Sequence, residues 1–418
     1  MDRREFLKAA SMASLSYLLP EFGAWAANSG TEKNNGNKLV VVFLRGALDG
    51  LSAVVPYGDD KYYSVRNKIA IPKPGTAGGA IALDSNFGLH PVLEPLMPFW
   101  KSKNLAFVLN SGSPDPTRSH FDAQDYMESG MPGTKVCSTG WLDRLLTQLP
   151  NNGSPVRAIN IGATTPRILQ GPVAPATYAP SKNRRMTAMD HEEIATEFRQ
   201  MYMGRKDELE KAFEAGLEAR ATISSALNSS SDMQQEMQAA NGGAIPANKF
   251  GGFGRQLGRL INQEPAVQVA FVALGGFDTH VNQGSDKGAL ANQLTVLGKG
   301  LSELATGLGP SFDKTTIMVM SEFGRTVKEN GNGGTDHGHG NAIWLLGGKV
   351  NGGKLYGKWN GVAQNELYEG RDLPVTTDFR SVVGSIVGEH LHLSQAQLDS
   401  IFPNFKIGDK SLADIMKA

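Results

Sequence analysis

The chain of 418 residues contains a single cysteine, Cys137, so no intramolecular disulfide can brace it and no thiolate-rich structural zinc site can form. It also lacks a charge bias, since Lys plus Arg and Asp plus Glu number 41 each. Without a net field, neither nucleic acid nor an anionic membrane surface is an expected partner. No apolar run approaches the ~20 residues of a membrane-spanning helix, and no repeat of solenoid or propeller length is present. Stability must come from an apolar core, helped by any metal the chain holds. Glycine, by contrast, is abundant at 49 residues, which implies many tight turns and close backbone approaches.

The N-terminus has the order of an export signal. Asp2-Arg3-Arg4-Glu5-Phe6-Leu7-Lys8 sets an arginine pair before a weakly apolar stretch from Ala9 to Leu19, and Ala24-Trp25-Ala26 has the small-x-small form of a cleavage site. We expect a twin-arginine signal peptide over residues 1–26, the twin-arginine translocase as a transient partner, and a periplasmic or secreted destination with no transmembrane segment in the mature chain. Residues 27–37 are polar and turn-rich, a linker before a domain spanning 38–418.

Within that domain, Lys38 to Leu44 is a short unbroken apolar and β-branched run, the pattern of a strand buried on both faces of a parallel sheet. Leu105 to Leu109, Val267 to Leu274, Thr315 to Met320 and Ala342 to Leu346 read alike, and helix-like segments such as Pro91 to Trp100 and Asn292 to Leu308 lie between them. Asp378 precedes a stripe of Val382, Val383, Ile386, Val387 and Leu391, a capped helix. The alternation predicts an α/β fold with a central mostly parallel sheet and helices on both faces. Residues 206–240, rich in Glu, Ala, Lys, Leu and Gln, read as a helical insertion.

In open α/β sheets ligands gather beyond the carboxyl ends of the strands. There the sequence places Asp49-Gly50, Arg118-Ser119-His120, Asp278-Thr279-His280, Glu322 through Arg325, and Asp336-His337-Gly338-His339. A mixed set of imidazoles and carboxylates suits a catalytic divalent ion, zinc first, with manganese, magnesium or calcium as alternatives. Its candidate ligands are Asp49, Asp278, His280, Glu322, Asp336, His337 and His339. Ser119 begins a helix-compatible segment ending at Gly130, so it is a candidate nucleophile or simply an N-cap. The helix N-terminus offers free N–H groups to an anion, with Arg118 placed to clamp its outer oxygens. Glu322 is also spaced to pair with Arg325.

With these motifs in view, the chain resembles the bacterial family of domain of unknown function 1501, related to the alkaline phosphatase and sulfatase superfamily. The resemblance rests on Gly-x-x-Asp-Gly, Arg-Ser-His-Phe, Gly-Phe-Asp-Thr-His, Ser-Glu-Phe-Gly-Arg-Thr and Gly-Thr-Asp-His-Gly-His-Gly. It implies an alkaline-phosphatase-like three-layer sandwich, with Asp49 as the acid after the first strand and Ser119 or His120 in the nucleophile position. Asp278 with His280 looks like one metal-holding pair, and Glu322, Asp336, His337 and His339 supply the remainder. Phe323 stands where the superfamily has a ligand, and Pro114 where a sulfatase nucleophile would stand. The expected activity is hydrolysis of a phosphate or sulfate ester of a small molecule or glycan. The alternative is a non-catalytic member that binds metal or an anionic glycan.

Overall fold

A computed structural model describes residues 36–178 and 244–417, with positions 211, 215, 216 and 219 between them. The expected signal at 1–26, nearly all of the expected linker and most of the expected insertion at 206–240 lie outside the described residues.

The central sheet is built from β1 (Lys38–Leu44), β2 (Leu105–Gly112), β3 (Ala158–Ile161), β4 (Ala176–Tyr178), β5 (Val269–Gly275), β6 (Thr315–Ser321), β7 (Asn341–Gly347) and β8 (Lys354–Tyr356). Their order across the sheet is β8-β2-β7-β6-β1-β5-β3-β4, and two-residue pairings at Thr377–Asp378 and Ile245–Pro246 complete it. β1 lies between β5 and β6, parallel to both, with Val41 level with Phe271 on one side and Met318 on the other. Among the described strands of this sheet only β7 runs against its neighbours, antiparallel to β6 and to β2. That reversal brings the start of β7 to the sheet edge where the other strands end, so the loop before Asn341 joins the loops that follow β1, β5 and β6.

The alternation of β1 explains the layers. Val40, Val42 and Leu44 enter one core with Leu257 and Leu260 of α3 (Ala247–Gln263) and Leu294 and Leu301 of α4 (Ala289–Leu308). Leu39, Val41 and Phe43 enter the other core with Leu142 and Leu145 of α2 (Trp141–Gln148) and Val382 and Val383 of α5 (Phe379–His390). Successive side chains on a strand point to opposite faces, and a strand apolar at every position must be covered twice. Each fully buried aliphatic or aromatic side chain contributes roughly 1.5–3 kcal/mol. Helices α3 and α4 approach so closely that a side chain at Gly254 would collide with the backbone of Gly300.

One expected helix is divided. Pro91 to Trp100 forms a 3-10 turn over Pro91–Leu96 and a short α-helix over Met97–Lys101. Pro95 and Pro98 have no N–H to give to an α-helical ladder, which confines each to a position near a helix start or a tighter turn.

Candidate metal centre

The site is assembled where four loops meet at the carboxyl edge. His120 opens α1 (His120–Ser129), whose N-cap is Ser119. Asp278 and His280 follow β5, Glu322 follows β6 directly, and His337 precedes β7. Gly46, beyond the end of β1, has φ of +107° and gives its N–H to Glu322 Oε1 at 2.8 Å. Any Cβ there would strike the backbone nitrogen of Asp278. The backbone of the first loop thus lies directly against the two acids.

Three imidazoles converge on Asp278. His120 Nε2 is 3.6 Å from Asp278 Oδ2, His280 Nε2 is 3.0 Å from Oδ1, and His337 Nε2 is 3.6 Å from Oδ1. His280 Nε2 and His337 Nε2 are 2.9 Å apart. Ligand atoms of His120, Asp278 and His337 all fall within 4.8 Å of one another. Each ring is oriented from behind. His120 Nδ1 is 2.8 Å from Glu322 Oε1, His337 Nδ1 is 2.8 Å from the backbone oxygen of Arg118, and His280 Nδ1 is 3.3 Å from Asp336 Oδ1. A carboxylate or carbonyl only accepts, so Nδ1 of each ring carries the hydrogen and Nε2 faces the centre. His120 also stacks on Phe323, with ring centroids 5.0 Å apart.

The electrostatics suit a cation. Burial pushes the Asp278 carboxyl up, but His120, His337 and the Arg325 guanidinium outweigh it and hold the group well below the usual carboxylate range. Burial likewise opposes ionisation of Glu322, yet His120 and Gln124 keep its carboxyl low. Burial lowers the His120 pKa, whereas Asp278 and Glu322 together raise it to about 9. His120 Nε2 is itself buried and has no hydrogen-bond partner among the described residues. Ligands bound tetrahedrally to zinc at ~2.0–2.1 Å sit roughly 3.3 Å from each other, so the separations around Asp278 fit one shared ion.

Residues 36–402 match the family described as protein of unknown function (DUF1501). The chain belongs to that family. No curated protein matches it. Among solved structures, the zinc complex of the C-terminal periplasmic domain of EcEptC from Escherichia coli is similar at 13% identity, covering 95% of this chain and 96% of that one with a TM-score of 0.39. A protein in the alkaline phosphatase superfamily from Vibrio parahaemolyticus is 10% identical over 83% of this chain and 69% of its own, with a TM-score of 0.34. The lipoteichoic acid synthase LtaP from Listeria monocytogenes is 8% identical over 82% and 75%, also with a TM-score of 0.34.

In this DUF1501 protein the other expected site residues lie either behind the three imidazoles or away from them. Asp49 is buried and held by both terminal nitrogens of Arg66, at 2.6 and 3.0 Å, with Ser52 and Gln283 donating to it at 2.7 Å each. Asp49 is not among the residues whose ligand atoms come within reach of one another, which are His120, Asp278 and His337. Through Gln283, whose Oε1 accepts from Thr279 and Thr335, Asp49 instead steadies the loops that carry Asp278 and His337. His339 is buried with its ring against Tyr368, and burial followed by the charge of Arg118 lowers its pKa to about 4. Its partner in alternation, His337, points elsewhere. Arg118 spends its guanidinium on Asp372 and Glu369, so its contribution to the cluster is its backbone oxygen. Glu322 and Asp336 orient His120 and His280 from behind, and Glu322 faces His120 rather than Arg325. Ser119 Oγ caps α1, accepting from Asp122 N at 3.4 Å.

Several roles at the site do not follow from the sequence. Arg325 is fully buried, donating to the backbone oxygens of Gly46, Ala47, Phe277 and Thr335 as well as to Asp278. It fastens three of the site's loops together and balances the acid. Arg325 lies within a quoted motif, but nothing local marks an arginine that will be buried. Gln124 and Glu128 carried a readable signal, being one and two turns beyond His120 on a helix. Phe121 and Val281, each directly after a histidine of the cluster, are exposed at 75% and 55%.

Proposed function

We propose that this protein is a metal-dependent hydrolase of phosphate or sulfate esters, with His120, Asp278, His280 and His337 as the metal ligands and zinc or manganese as the ion. The observation that carries this reading is the convergence of three Nε2 atoms on one carboxylate while each Nδ1 is held by an acceptor. Such an all-acceptor cluster is repulsive until a cation or proton enters it, and the acceptors behind the rings are the usual means of orienting histidine ligands. Nitrogen-rich ligation disfavours magnesium and calcium, which take oxygen. When bound, the ion supplies Lewis acidity toward an ester oxygen.

The protein's own groups then divide the remaining work. Glu322, Asp336 and the Arg118 carbonyl hold the rings in one tautomer, and Arg325 keeps Asp278 ionised and fixed. Ser119 is exposed immediately before His120, and among the described residues its hydroxyl is engaged by a long cap bond alone, which makes it the candidate nucleophile. The N–H groups at the start of α1 lie beside it for the anion. Export through the twin-arginine pathway is proposed on Arg3-Arg4 and the apolar stretch after them. Among the described residues no helix is long and apolar enough to cross a membrane.

The engagement of Arg118 by Asp372 and Glu369 favours a second reading, in which the protein holds metal, or an anionic glycan through it, without turnover. One experiment separates the two. Elemental analysis of the purified protein is followed by assays with an aryl phosphate and an aryl sulfate, for the wild type and Ser119→Ala. Metal with turnover that Ser119→Ala abolishes supports the hydrolase. Metal without turnover of either ester supports the binding protein, and absence of metal after reconstitution with zinc or manganese removes both.

A further inference from the structure

His120, Gln124 and Glu128 stand four residues apart on α1, one polar group per turn along a single face. Gln124 and Glu128 are buried there. With two residues from other elements they form a continuous chain. Glu128 Oε1 accepts from the Arg45 guanidinium, which also donates to Gln124 Oε1 at 3.0 Å. Gln124 Nε2 donates to Glu322 Oε1 at 3.0 Å, and that same oxygen accepts from His120 Nδ1 at 2.8 Å. Glu128 Oε2 is fixed in turn by the backbone N–H of Ile168 at 3.0 Å.

The chain has a direction set by chemistry. A guanidinium only donates, so the carbonyl end of the Gln124 carboxamide must face Arg45. Its NH2 end is thereby turned to Glu322, and a flipped carboxamide would meet donor with donor on one side and acceptor with acceptor on the other. Glu128 takes up the second arm of the Arg45 guanidinium, which leaves the NH2 end of Gln124 on Glu322.

We propose that Gln124 is a positioning residue, oriented by the Arg45–Glu128 ion pair, that fixes Glu322 so that His120 keeps its hydrogen on Nδ1 and directs Nε2 at Asp278. The metal-centre reading enters only through one of the two readouts. The first is made on metal-free full-length protein labelled with 15N-histidine: the downfield Nδ1 proton resonance of His120, identified by its loss in His120→Asn. The second is the affinity for zinc in competition with a chelator.

Gln124→Met conserves shape but breaks the chain at its centre. Its solvent exchange at His120 Nδ1 is expected to rise at least tenfold or the resonance to vanish, and zinc affinity to fall about 10- to 100-fold. Glu128→Gln is expected to move both readouts in the same direction by less, and it decides the matter if Gln124→Met does not fold. A merely structural role would lower the melting temperature and leave the resonance in place. Wild-type exchange at His120 Nδ1 in the folded variants would overturn the proposal. Should wild type take up no zinc, the metal-centre reading falls and the resonance still decides this one.

Discussion

His280 Nε2 and His337 Nε2 face each other at 2.9 Å, although Asp336 and the Arg118 carbonyl each hold the Nδ1 hydrogen on the far side of the ring. Two lone pairs at that distance repel unless a proton or a metal cation lies between them, and the proposed metal centre fills that place with the cation. Asp278→Ala and His337→Ala are therefore expected to lose most bound metal. Because the ion binds only the folded chain, the melting temperature under saturating metal should fall as well, by an amount equivalent to about 2.7 kcal/mol at a metal concentration one hundredfold above Kd. Full metal occupancy in both variants would show that these residues are not ligands.

Asp49 should respond differently. It forms a buried pair with Arg66, and removing one partner strands the other charge at a cost of about 3–5 kcal/mol. Asp49→Asn is expected to lower the melting temperature while keeping metal stoichiometry in the folded fraction. Loss of metal without loss of stability would return Asp49 to the ligand set.

Arg325 is expected to tolerate no substitute. Lysine has neither the planar fork nor enough donors to serve the oxygens of Gly46, Ala47, Phe277 and Thr335 together with Asp278. Arg325→Lys should cost about 3 kcal/mol or more, from buried acceptors left unpaired, and weaken metal retention. Chemical denaturation with a wild-type midpoint would contradict this role.

Asp143 gives a pH signature away from the site. It lies at 0% exposure with Oδ2 lacking a hydrogen-bond partner among the described residues, and desolvation raises its pKa to about 6 even though the Val173 N–H opposes the shift. A carboxyl with a raised folded pKa favours the protonated form in the fold. Its destabilisation begins as pH rises past the unfolded value of ~3.9 and is complete above about 6. Relative to wild type, Asp143→Asn should gain in melting temperature at pH 7 compared with pH 4. An identical difference at both values would refute the assignment.

Export provides a test independent of the metal. Replacing Arg3 and Arg4 together with Lys should leave the full precursor in the cytoplasm. Efficient export of that variant in cells lacking the twin-arginine translocase would overturn the signal assignment.

The sequence by itself determined the strands. Runs such as Leu39 to Leu44 are apolar at every position, which no half-buried strand or surface helix tolerates. The two cores on either side of β1 follow from that alone. It also determined that chemistry would gather at the strand ends, because Asp278, His280, Glu322 and His337 all follow or precede apolar runs next to glycines.

Which of these residues meet was decided only by the tertiary structure. The reversal of β7, invisible in a run as apolar as its parallel neighbours, brings His337 to the edge where the other loops end. Side-chain direction then separates residues that sequence cannot tell apart: His337 turns to Asp278 while His339, two positions on, turns to Tyr368. Asp49 is withdrawn by Arg66, an arginine seventeen residues away whose burial depends on how distant segments pack. Composition and spacing record which groups are available, but a ligand needs a free lone pair aimed at a shared point, and that depends on every hydrogen bond made behind it.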